Sequence, residues 1–374
     1  MLKKKYLFFL VHPSKYHVFK NTINILKSKG HQCDIIITSK DVLEALIKIE
    51  GWEYENIFPE GRKIDGIPTK LAAIFNSIRT VARIEKFIGK KTYDLFITDD
   101  LLVINGWYKK VPCLLLQDDD ITVVPETQLL FLFATRILSP TVSNMGRFNR
   151  KKIAFLGFKE LGGLHPTRFT PDYSIVEKFN PSKSKYNIIR LVSLQATHDI
   201  GKKGLNNDDL IRIIDKLESK GNKVFITSER KLPGDFERYR IKIAPNEIQH
   251  ALYYAEFLIS DSQTMSSESG VLGTPYIRFN DFVGKISYLN ELEHIYKLGV
   301  GVKTNQRQLL FDSIDLFLGN DNLKAEWFSK REKMLNEKID LTAFLVWMLE
   351  DYENRILEFD AYPGLQNKFI SEIN

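Results

Sequence analysis

The chain has 374 residues, of which 44% are hydrophobic and 27% are charged, and its formal net charge is +6. This composition is that of a folded globular protein with room for two domains, and it excludes an intrinsically disordered chain. The lysines and arginines are dispersed without interleaved aromatic residues, which excludes a nucleic-acid-binding stripe and makes nucleic acid an unexpected partner.

The cysteines and the lengths of the apolar runs indicate in which cellular compartment the protein resides. Cys33 and Cys113 lie in or beside apolar, strand-like runs without metal-ligand spacing, so we expect reduced core residues. The lysine-rich start leads into only a short apolar run, unlike a secretory signal. The longest apolar run, Leu129 to Leu138, spans about ten residues and includes Arg136, too short to cross a bilayer. We therefore expect a cytoplasmic protein; peripheral contact with the inner face of the membrane and the oligomeric state stay open.

Buried strands and amphipathic helices alternate through the first half of the chain. Continuous apolar runs such as Tyr6 to Val11 are typical of parallel strands buried on both faces. Helical periodicity follows the first of these runs, and Gly30 ends that helix. The predicted strands are Tyr6–Val11, Cys33–Thr38, Leu95–Thr98, Leu114–Leu116, Ile137–Leu138 and Ile153–Leu156, and the predicted helices are Val18–Lys29, Asp41–Glu50, Thr69–Ile88 and Gln128–Thr135.

A loop-rich stretch from Gly157 to Lys185 precedes a second alternating half. This stretch contains Pro171 and Pro181 and is predicted to be a linker, whose bounds we place at residues 166–186. The tail, residues 341–374, is predicted to form a long helix over Leu341–Glu358. We expect it to pack back on the first domain, and a dimer face is the alternative. The remaining predictions are strands at Ile188–Leu194 and Lys223–Thr227 and helices at Asp208–Lys220, Ile248–Tyr254 and Gln308–Leu318.

The two alternating halves predict an α/β protein with two facing, Rossmann-like, doubly wound domains, residues 1–165 and 187–340. Ligands of such sheets bind beyond the carboxyl ends of the strands, where the strand order reverses. Two facing domains would place the site in the cleft between them. The polar residues that follow each strand are therefore the candidates for function.

The segment from Glu256 to Asp281 is the most informative part of the chain. It has the pattern of a buried strand, a polar turn, a short helix, a Gly-Thr-Pro stop and a second strand. The free amides and the positive dipole end at the start of such a helix suit a phosphate or diphosphate. Glu268 lies one turn into the helix, where its carboxylate could accept hydrogen bonds from a ribose. The predicted donor-binding residues of this segment are Ser262, Gln263, Thr264, Ser266, Ser267 and Glu268.

Two further loops of the second half offer contacts for phosphates. Ser193, Thr197, His198 and Lys202 follow the first strand of this half, where amides and cations could grip phosphates. Arg230 follows the next strand and could contact phosphate or form a surface salt bridge. The Rossmann glycine fingerprint is lacking, so we expect no dinucleotide cofactor, and the nucleotide sugar itself is the expected ligand.

Polar residues after the strands of the first half are candidates for catalysis. His12 could act as a general base toward an acceptor hydroxyl, or it could cap a helix that Pro13 helps to start. Asp99-Asp100 and Asp118 to Asp120 also follow strands, and we take Asp100 as the second candidate base, although helix capping accounts for at least half of these acids. No metal site is expected, because backbone amides and cations already provide for a diphosphate.

The motifs as a set resemble a prokaryotic family of predicted glycosyltransferases, formally a domain of unknown function. The resemblance covers about residues 5 to 350 and implies the two-Rossmann architecture known as GT-B. It also implies a role in surface-polysaccharide synthesis. The residues that carry it include His12-Pro13, Tyr16-His17, Leu191-Val192-Ser193, Ala196-Thr197-His198-Asp199, Ser228-Glu229, Asp261-Ser262-Gln263-Thr264, Glu268 and Leu272-Gly273-Thr274-Pro275.

A more distant similarity connects the chain with non-hydrolysing UDP-N-acetylglucosamine 2-epimerases. The epimerase helix motif Asp-Ser-Gly-Gly resembles Asp261-Ser262-Gln263-Thr264 here. The epimerase segment His-Val-Glu-Ala-Gly is replaced by Gln117-Asp118-Asp119-Asp120, and Pro-Glu-Glu-x-Asn-Arg is only partly matched from Pro125 to Thr127. These departures affect the residues of epimerisation and leave nucleotide binding intact.

Three functions remain on this basis. The first is a metal-independent glycosyltransferase that moves a sugar from a nucleotide-diphosphate donor, with uridine as the expected base, to a glycan or lipid-linked acceptor. The second is a 2-epimerase-like isomerase of nucleotide sugars, and the third is a non-catalytic sugar-nucleotide binding protein. The sequence does not specify the donor sugar, the acceptor or the stereochemical outcome.

Overall fold

Two all-parallel sheets organise the chain. The computed structural model describes residues 3–62, 69–193 and 204–371. The chain divides into a first unit, Met1–Gly163 with Ile339–Phe369, and a second unit, Leu164–Lys338 with Ile370–Asn374. Each unit has one sheet, so the α/β fold class with two Rossmann-like domains is confirmed.

The first unit contains a seven-stranded sheet with the strand order β3-β2-β1-β4-β5-β6-β7. The order reverses between β1 and β4, which makes this pair the switch point of the sheet. The strands are apolar because both faces of the sheet are covered. They are β1 Lys5–Leu10, β2 Gln32–Ile37, β3 Glu55–Asn56, β4 Leu95–Thr98, β5 Cys113–Leu116, β6 Arg136–Pro140 and β7 Lys152–Phe155.

The helices of the first unit lie on both faces of its sheet. Since parallel crossovers are right-handed, the reversal of strand order puts α1 and α2 on one face and α3 to α5 on the other. The helices are α1 Pro13–Ser28, α2 Leu43–Ile49, α3 Thr69–Ile88, α4 Leu102–Lys109, α5 Gln128–Phe133 and α6 Leu161–Leu164. Tyr16, Phe19, Ile23 and Leu26 recur at helical spacing on α1 and are buried, which explains why this segment folds as a helix on the sheet.

The second unit contains a five-stranded parallel sheet with the order β12-β11-β10-β8-β9. Its switch point lies between β8 and β10, which pair directly. The strands are β8 Tyr186–Leu191, β9 Lys223–Ser228, β10 Leu258–Ser260, β11 Tyr276–Phe279 and β12 Gly299–Val302, and the helices are α7 Tyr173–Phe179, α8 Asn207–Ser219, α9 Ile248–Tyr254, α10 Gln263–Leu272, α11 Ser287–Asn290, α12 Arg307–Leu318 and α13 Leu323–Leu335.

The tail differs from the single long helix that its sequence predicts. It forms α14 Leu341–Glu350 and α15 Tyr352–Ala361, because Asp351 leaves the helical region with φ −144° and ψ 56°. In the first unit, the hydroxyl of Tyr6 on β1 donates a hydrogen bond to the carbonyl of Leu349 at 2.7 Å. The tail is therefore part of the core of the first unit. The predicted linker region also differs from a plain loop, since it includes α7, capped by Asp172.

Candidate functional site

The carboxyl ends of β8 and β10 are joined by a buried carboxylate. Asp261 directly follows β10, and its Oδ1 accepts a hydrogen bond from the Val192 amide beyond β8 at 2.7 Å. Its Oδ2 has no hydrogen-bond partner and lies 3.7 Å from Nη2 of Arg230. Burial raises the pKa of Asp261 to about 6. Asp261 therefore lies at the switch point of the second sheet, the place at which ligands of doubly wound sheets bind.

Helix α10 starts immediately after Asp261. Ser262 caps it by accepting a hydrogen bond from the Met265 amide at 3.2 Å, and the Ser262 amide itself donates to Ser260 Oγ at 2.8 Å. The amides of Gln263 and Thr264 lie in the first turn, where no intrahelical acceptor exists. Both residues keep partial solvent exposure, whereas the helix is buried from Met265 to Leu272. Gln263 and Thr264 are therefore the residues at the start of α10 that solvent reaches.

The serines and the glutamate of α10 are inside the second unit. Ser266 and Ser267 donate their hydroxyl hydrogens to the carbonyls of Ser262 and Thr264, so their side chains serve the helix itself. Glu268 is only 6% exposed, and its Oε1 accepts a hydrogen bond from Nε2 of Gln249 on α9 at 3.4 Å. Of the six predicted donor-binding residues on this segment, Gln263 and Thr264 are the ones that face solvent.

A cavity of about 600 Å³ lies in the second unit. Its lining includes two arginines and residues at the start of α8. The full lining is Gly204, Leu205, Asn206, Asn207, Arg230 and Arg307.

Three contacts define the chemistry of this cavity. Arg230 donates a hydrogen bond from Nη2 to the Leu205 carbonyl at 2.6 Å, which holds its guanidinium at the cavity wall. Arg307 contacts Asp209 at 3.3 Å and keeps 42% of its side chain exposed. Gly204 packs against Asp261 so closely that a Cβ there would lie 2.7 Å from Oδ2. The cavity is thus cationic and adjoins the switch point.

The other predicted phosphate contacts have different outcomes. Ser193 lies at the end of β8, where its amide donates to Oε2 of Glu229 at 3.2 Å. Thr197, His198 and Lys202 lie outside the described residues. Arg307 did not emerge from the sequence as a candidate, because it is the first residue of α12 and does not directly follow a strand.

In the first unit, His12 caps α1. Its Nδ1 accepts a hydrogen bond from the Ser14 amide at 3.1 Å, as an N-cap side chain does. Burial, followed by the nearby Lys40, Lys15 and Lys159, holds the pKa of His12 well below its usual value. Because Nδ1 accepts a hydrogen bond, the neutral ring carries its proton on Nε2. In this state the ring can donate a hydrogen bond to a ligand, whereas a general base would need a free acceptor nitrogen.

Asp100 is held by two contacts at the carboxyl end of β4. Its Oδ2 accepts a hydrogen bond from Nη1 of Arg62 at 2.6 Å, and its Oδ1 accepts one from the Leu101 amide at 2.6 Å. The adjacent Asp99 differs, because its Oδ1 is buried without a hydrogen-bond partner. Burial raises the pKa of Asp99 to about 6. Of this pair, Asp99 is therefore the carboxylate that has an unpaired, buried oxygen and a raised pKa.

A buried ion network follows β5 in the first unit. Lys15 of α1 contacts Oδ1 of Asp118 at 3.1 Å, and Lys159 contacts Oδ2. Although burial alone would raise it, these two lysines hold the pKa of Asp118 below its usual value. Burial, followed by the charge of Asp118, raises the pKa of the neighbouring Asp119. The two strand ends next to the switch point thus each present one acid that retains its proton more strongly than usual.

Within the parts of the chain that the structure describes, no group of three or more histidine, cysteine, aspartate or glutamate side chains is arranged to hold a metal ion. Among the same residues, no helix has the length and apolar character needed to cross a membrane.

Solved structures resemble this chain in fold and have low sequence identity to it. Staphylococcus aureus MnaA in its UDP co-structure aligns with 94% of this chain and 98% of its own, at a TM-score of 0.65 and 12% identity. The calicheamicin glycosyltransferase CalG4 aligns with 95% of this chain and 100% of its own, at a TM-score of 0.58 and 11% identity.

A further match is the UDP-GlcNAc 2-epimerase of Methanocaldococcus jannaschii in complex with UDP-GlcNAc and UDP, which covers 85% of this chain and 93% of its own at a TM-score of 0.59 and 14% identity. The chain has the GT-B fold. No family model matches the sequence, and no curated protein matches it. Within the GT-B fold both glycosyltransferases and 2-epimerases occur among these matches, so the fold leaves the reaction open.

Proposed function

We propose that this GT-B protein is a glycosyltransferase that uses a nucleotide-diphosphate sugar, with a uridine nucleotide as donor. The observation that carries the proposal is the arginine-lined cavity whose Gly204 packs against Asp261, at the switch point of the second sheet. The diphosphate would accept hydrogen bonds from the Gln263 and Thr264 amides. Arg230 and Arg307 would neutralise its charge, and Glu268 would bind the ribose after a side-chain rearrangement.

The transfer step needs a base for the acceptor hydroxyl and stabilisation of the leaving diphosphate. When the hydroxyl oxygen attacks the anomeric carbon, the bond from that carbon to the diphosphate oxygen breaks and its electron pair leaves with the nucleotide. Fixed amide dipoles and arginines stabilise that charge most where water is excluded. We assign the base role to Asp99, which is partly exposed and whose pKa burial raises to about 6, while His12 would orient the acceptor and Arg62 would hold Asp100 in place.

The acceptor is a glycan or a lipid-linked carrier, and the scheme needs no cofactor besides the donor itself. Lys202, Thr197 and His198 remain proposed donor contacts on the strength of the sequence pattern. A lipid-linked acceptor would bring the protein to the cytoplasmic membrane surface as a peripheral protein.

Calorimetry with nucleotides tests the donor site. Wild-type protein should bind UDP more tightly than GDP or CDP, and Arg230→Ala should lose about tenfold to 100-fold in affinity because a charge-assisted contact is removed. Arg238→Ala is the matched control, since Arg238 is exposed and donates a hydrogen bond to the hydroxyl of the adjacent Tyr239 at 2.9 Å. If wild type binds none of the three nucleotides, or if Arg230→Ala binds as tightly as wild type, the donor site is misplaced.

A 2-epimerase-like isomerase is the second candidate, and the acids after β4 and β5 favour it. Removal and return of a C2 proton require groups that exchange protons near neutral pH, and Asp99 and Asp119 both have raised pKa values. Incubation with UDP-N-acetylglucosamine in deuterated water distinguishes the two reactions. Deuterium at C2 would establish isomerisation, whereas transfer to an acceptor without exchange would establish glycosyl transfer. Tight UDP binding with neither reaction would indicate a sugar-nucleotide binding protein.

A further inference from the structure

The outward surface of the first unit has an unusual composition on α3, α4 and α5. These helices cover one face of the seven-stranded sheet, so charged side chains would be ordinary on their outer side. Instead, eight large apolar side chains are exposed there. They are Leu71, Ile74, Phe75 and Ile78 on α3, Trp107 and Tyr108 on α4, and Leu129 and Leu132 on α5.

The apolar residues of α3 form a continuous stripe. Leu71, Ile74, Phe75 and Ile78 recur at spacings of three and four residues, which places them on one face of the helix. Each is more than half exposed, with values from 55% to 63%. The buried side of the same helix is formed by Thr80, Ile84 and Ile88. The stripe therefore points away from the core of the unit.

Lysines accompany this apolar surface. Lys86 lies near the end of α3, Lys90 just after it, and Lys110 directly after α4, and all three are exposed. The carboxylate of Glu85 on α3 is already paired with Lys109, at 2.7 Å. Helices α4 and α5 contain no acidic residue, and Glu126 in the turn just before α5 is exposed. The surface thus combines apolar side chains with an excess of positive charge.

We propose that this α3–α5 surface docks the protein on an anionic lipid bilayer. Apolar side chains that enter the headgroup region, interfacial Trp and Tyr, and flanking lysines are the features by which helices bind a membrane surface in plane. A two-fold dimer through the same surface would bring the lysines of both copies together with few free carboxylates between them. That charge pattern selects the bilayer over a second copy. The assignment does not depend on the proposed reaction, because docking requires no donor.

Vesicle flotation tests the surface directly. The full chain is mixed with vesicles of equal parts phosphatidylglycerol and phosphatidylcholine, or of phosphatidylcholine alone. Wild type should bind the anionic vesicles preferentially, and Phe75→Ser and Ile74→Ser should each lower the partition coefficient by about tenfold, the effect of losing one buried apolar side chain. Lys86→Gln with Lys110→Gln should lower it on anionic vesicles only, by about fivefold for each lysine.

The control is Leu316→Ser on α12 of the second unit, a residue that is 70% exposed and lies outside the surface. It should bind vesicles as wild type does. Circular dichroism and thermal unfolding show whether each variant is folded, and Phe75→Ser and Ile74→Ser provide two independent readings. Equal binding by wild type and both α3 variants would overturn the proposal. It would also be overturned by a wild-type dimer that ignores vesicles and becomes monomeric on Phe75→Ser.

Discussion

At the scale of single residues, the first unit places partners together that its sequence keeps far apart. Asp118 is neutralised by Lys15 and Lys159, which are 103 and 41 positions away along the chain. A sequence pattern identifies Asp118 as an acid after a strand, but it does not show whether that acid is paired. For the same reason, Asp99 and Asp100 look alike in sequence, whereas Arg62 pairs with only one of them.

The state of Asp99 yields a prediction on stability. Its pKa rises from 3.8 to about 6 on folding, so the folded protein holds this proton more tightly than the unfolded chain. Below about pH 4, Asp99 is protonated in both states and does not lower the free energy of unfolding of the wild type. As the pH rises from about 4 to about 6, the unfolded chain releases this proton more readily than the folded protein, so the wild type loses stability. Asp99→Asn should gain about 1–3 kcal/mol over wild type by pH 7, and this gain should disappear at acidic pH.

Chemical denaturation at several pH values measures that difference, with the exposed Asp235→Asn as control. The same Asp99→Asn protein should lose about 100-fold or more in transfer activity, as expected on removal of a general base. Unchanged activity would exclude Asp99 as the base. A gain in stability that does not vary with pH would show that the carboxylate is not destabilised by burial.

At the scale of elements, the sequence predicts most helices and strands because their apolar periodicity is strong. Helix α3 covers the predicted Thr69–Ile88, and α9 covers the predicted Ile248–Tyr254. Helix α13 is absent from the prediction, because the residues it buries, Leu323, Trp327, Met334 and Leu335, are widely and unevenly spaced. The sequence also does not predict the break between α14 and α15 at Asp351, since apolar residues continue on both sides of it.

The junction of α1, α6 and α14 in the first unit depends on a glycine. The Gly162 carbonyl accepts hydrogen bonds from Asn21 at 3.0 Å and from Thr342 at 2.7 Å. A Cβ at this position would lie 2.6 Å from the carbonyl oxygen of Val18 on α1. Since that obstacle is backbone, Gly162→Ala should force the helices apart and cost about 1–3 kcal/mol of unfolding free energy.

Thermal or urea unfolding measures this cost. Gly234→Ala provides the control, because a Cβ there meets nothing within 4 Å. It should leave the stability within about 0.5 kcal/mol of wild type, as is usual for surface substitutions. Equal stability of the two variants would mean that the close approach of α6 to α1 is not tight in the protein.

At the scale of the whole molecule, the alternation of strands and helices predicts two doubly wound α/β domains. The family resemblance implies the GT-B fold, and that fold leaves the reaction open. The sequence places Ser262 to Glu268 on one helix after a strand, yet burial separates the accessible Gln263 and Thr264 from the enclosed serines. The arginine at position 307 joins the site only through the topology of the second sheet. The local pattern thus predicts where a ligand binds, and tertiary packing decides which side chains reach it.

The central claim is that the start of α10 and the neighbouring arginines bind the diphosphate of a nucleotide. A crystal structure of the protein with UDP tests it most directly. We predict that phosphate oxygens lie within hydrogen-bond distance of the Gln263 or Thr264 amide, with the Arg230 guanidinium alongside. A diphosphate bound elsewhere, with the α10 start and Arg230 unchanged and unoccupied, would contradict the account.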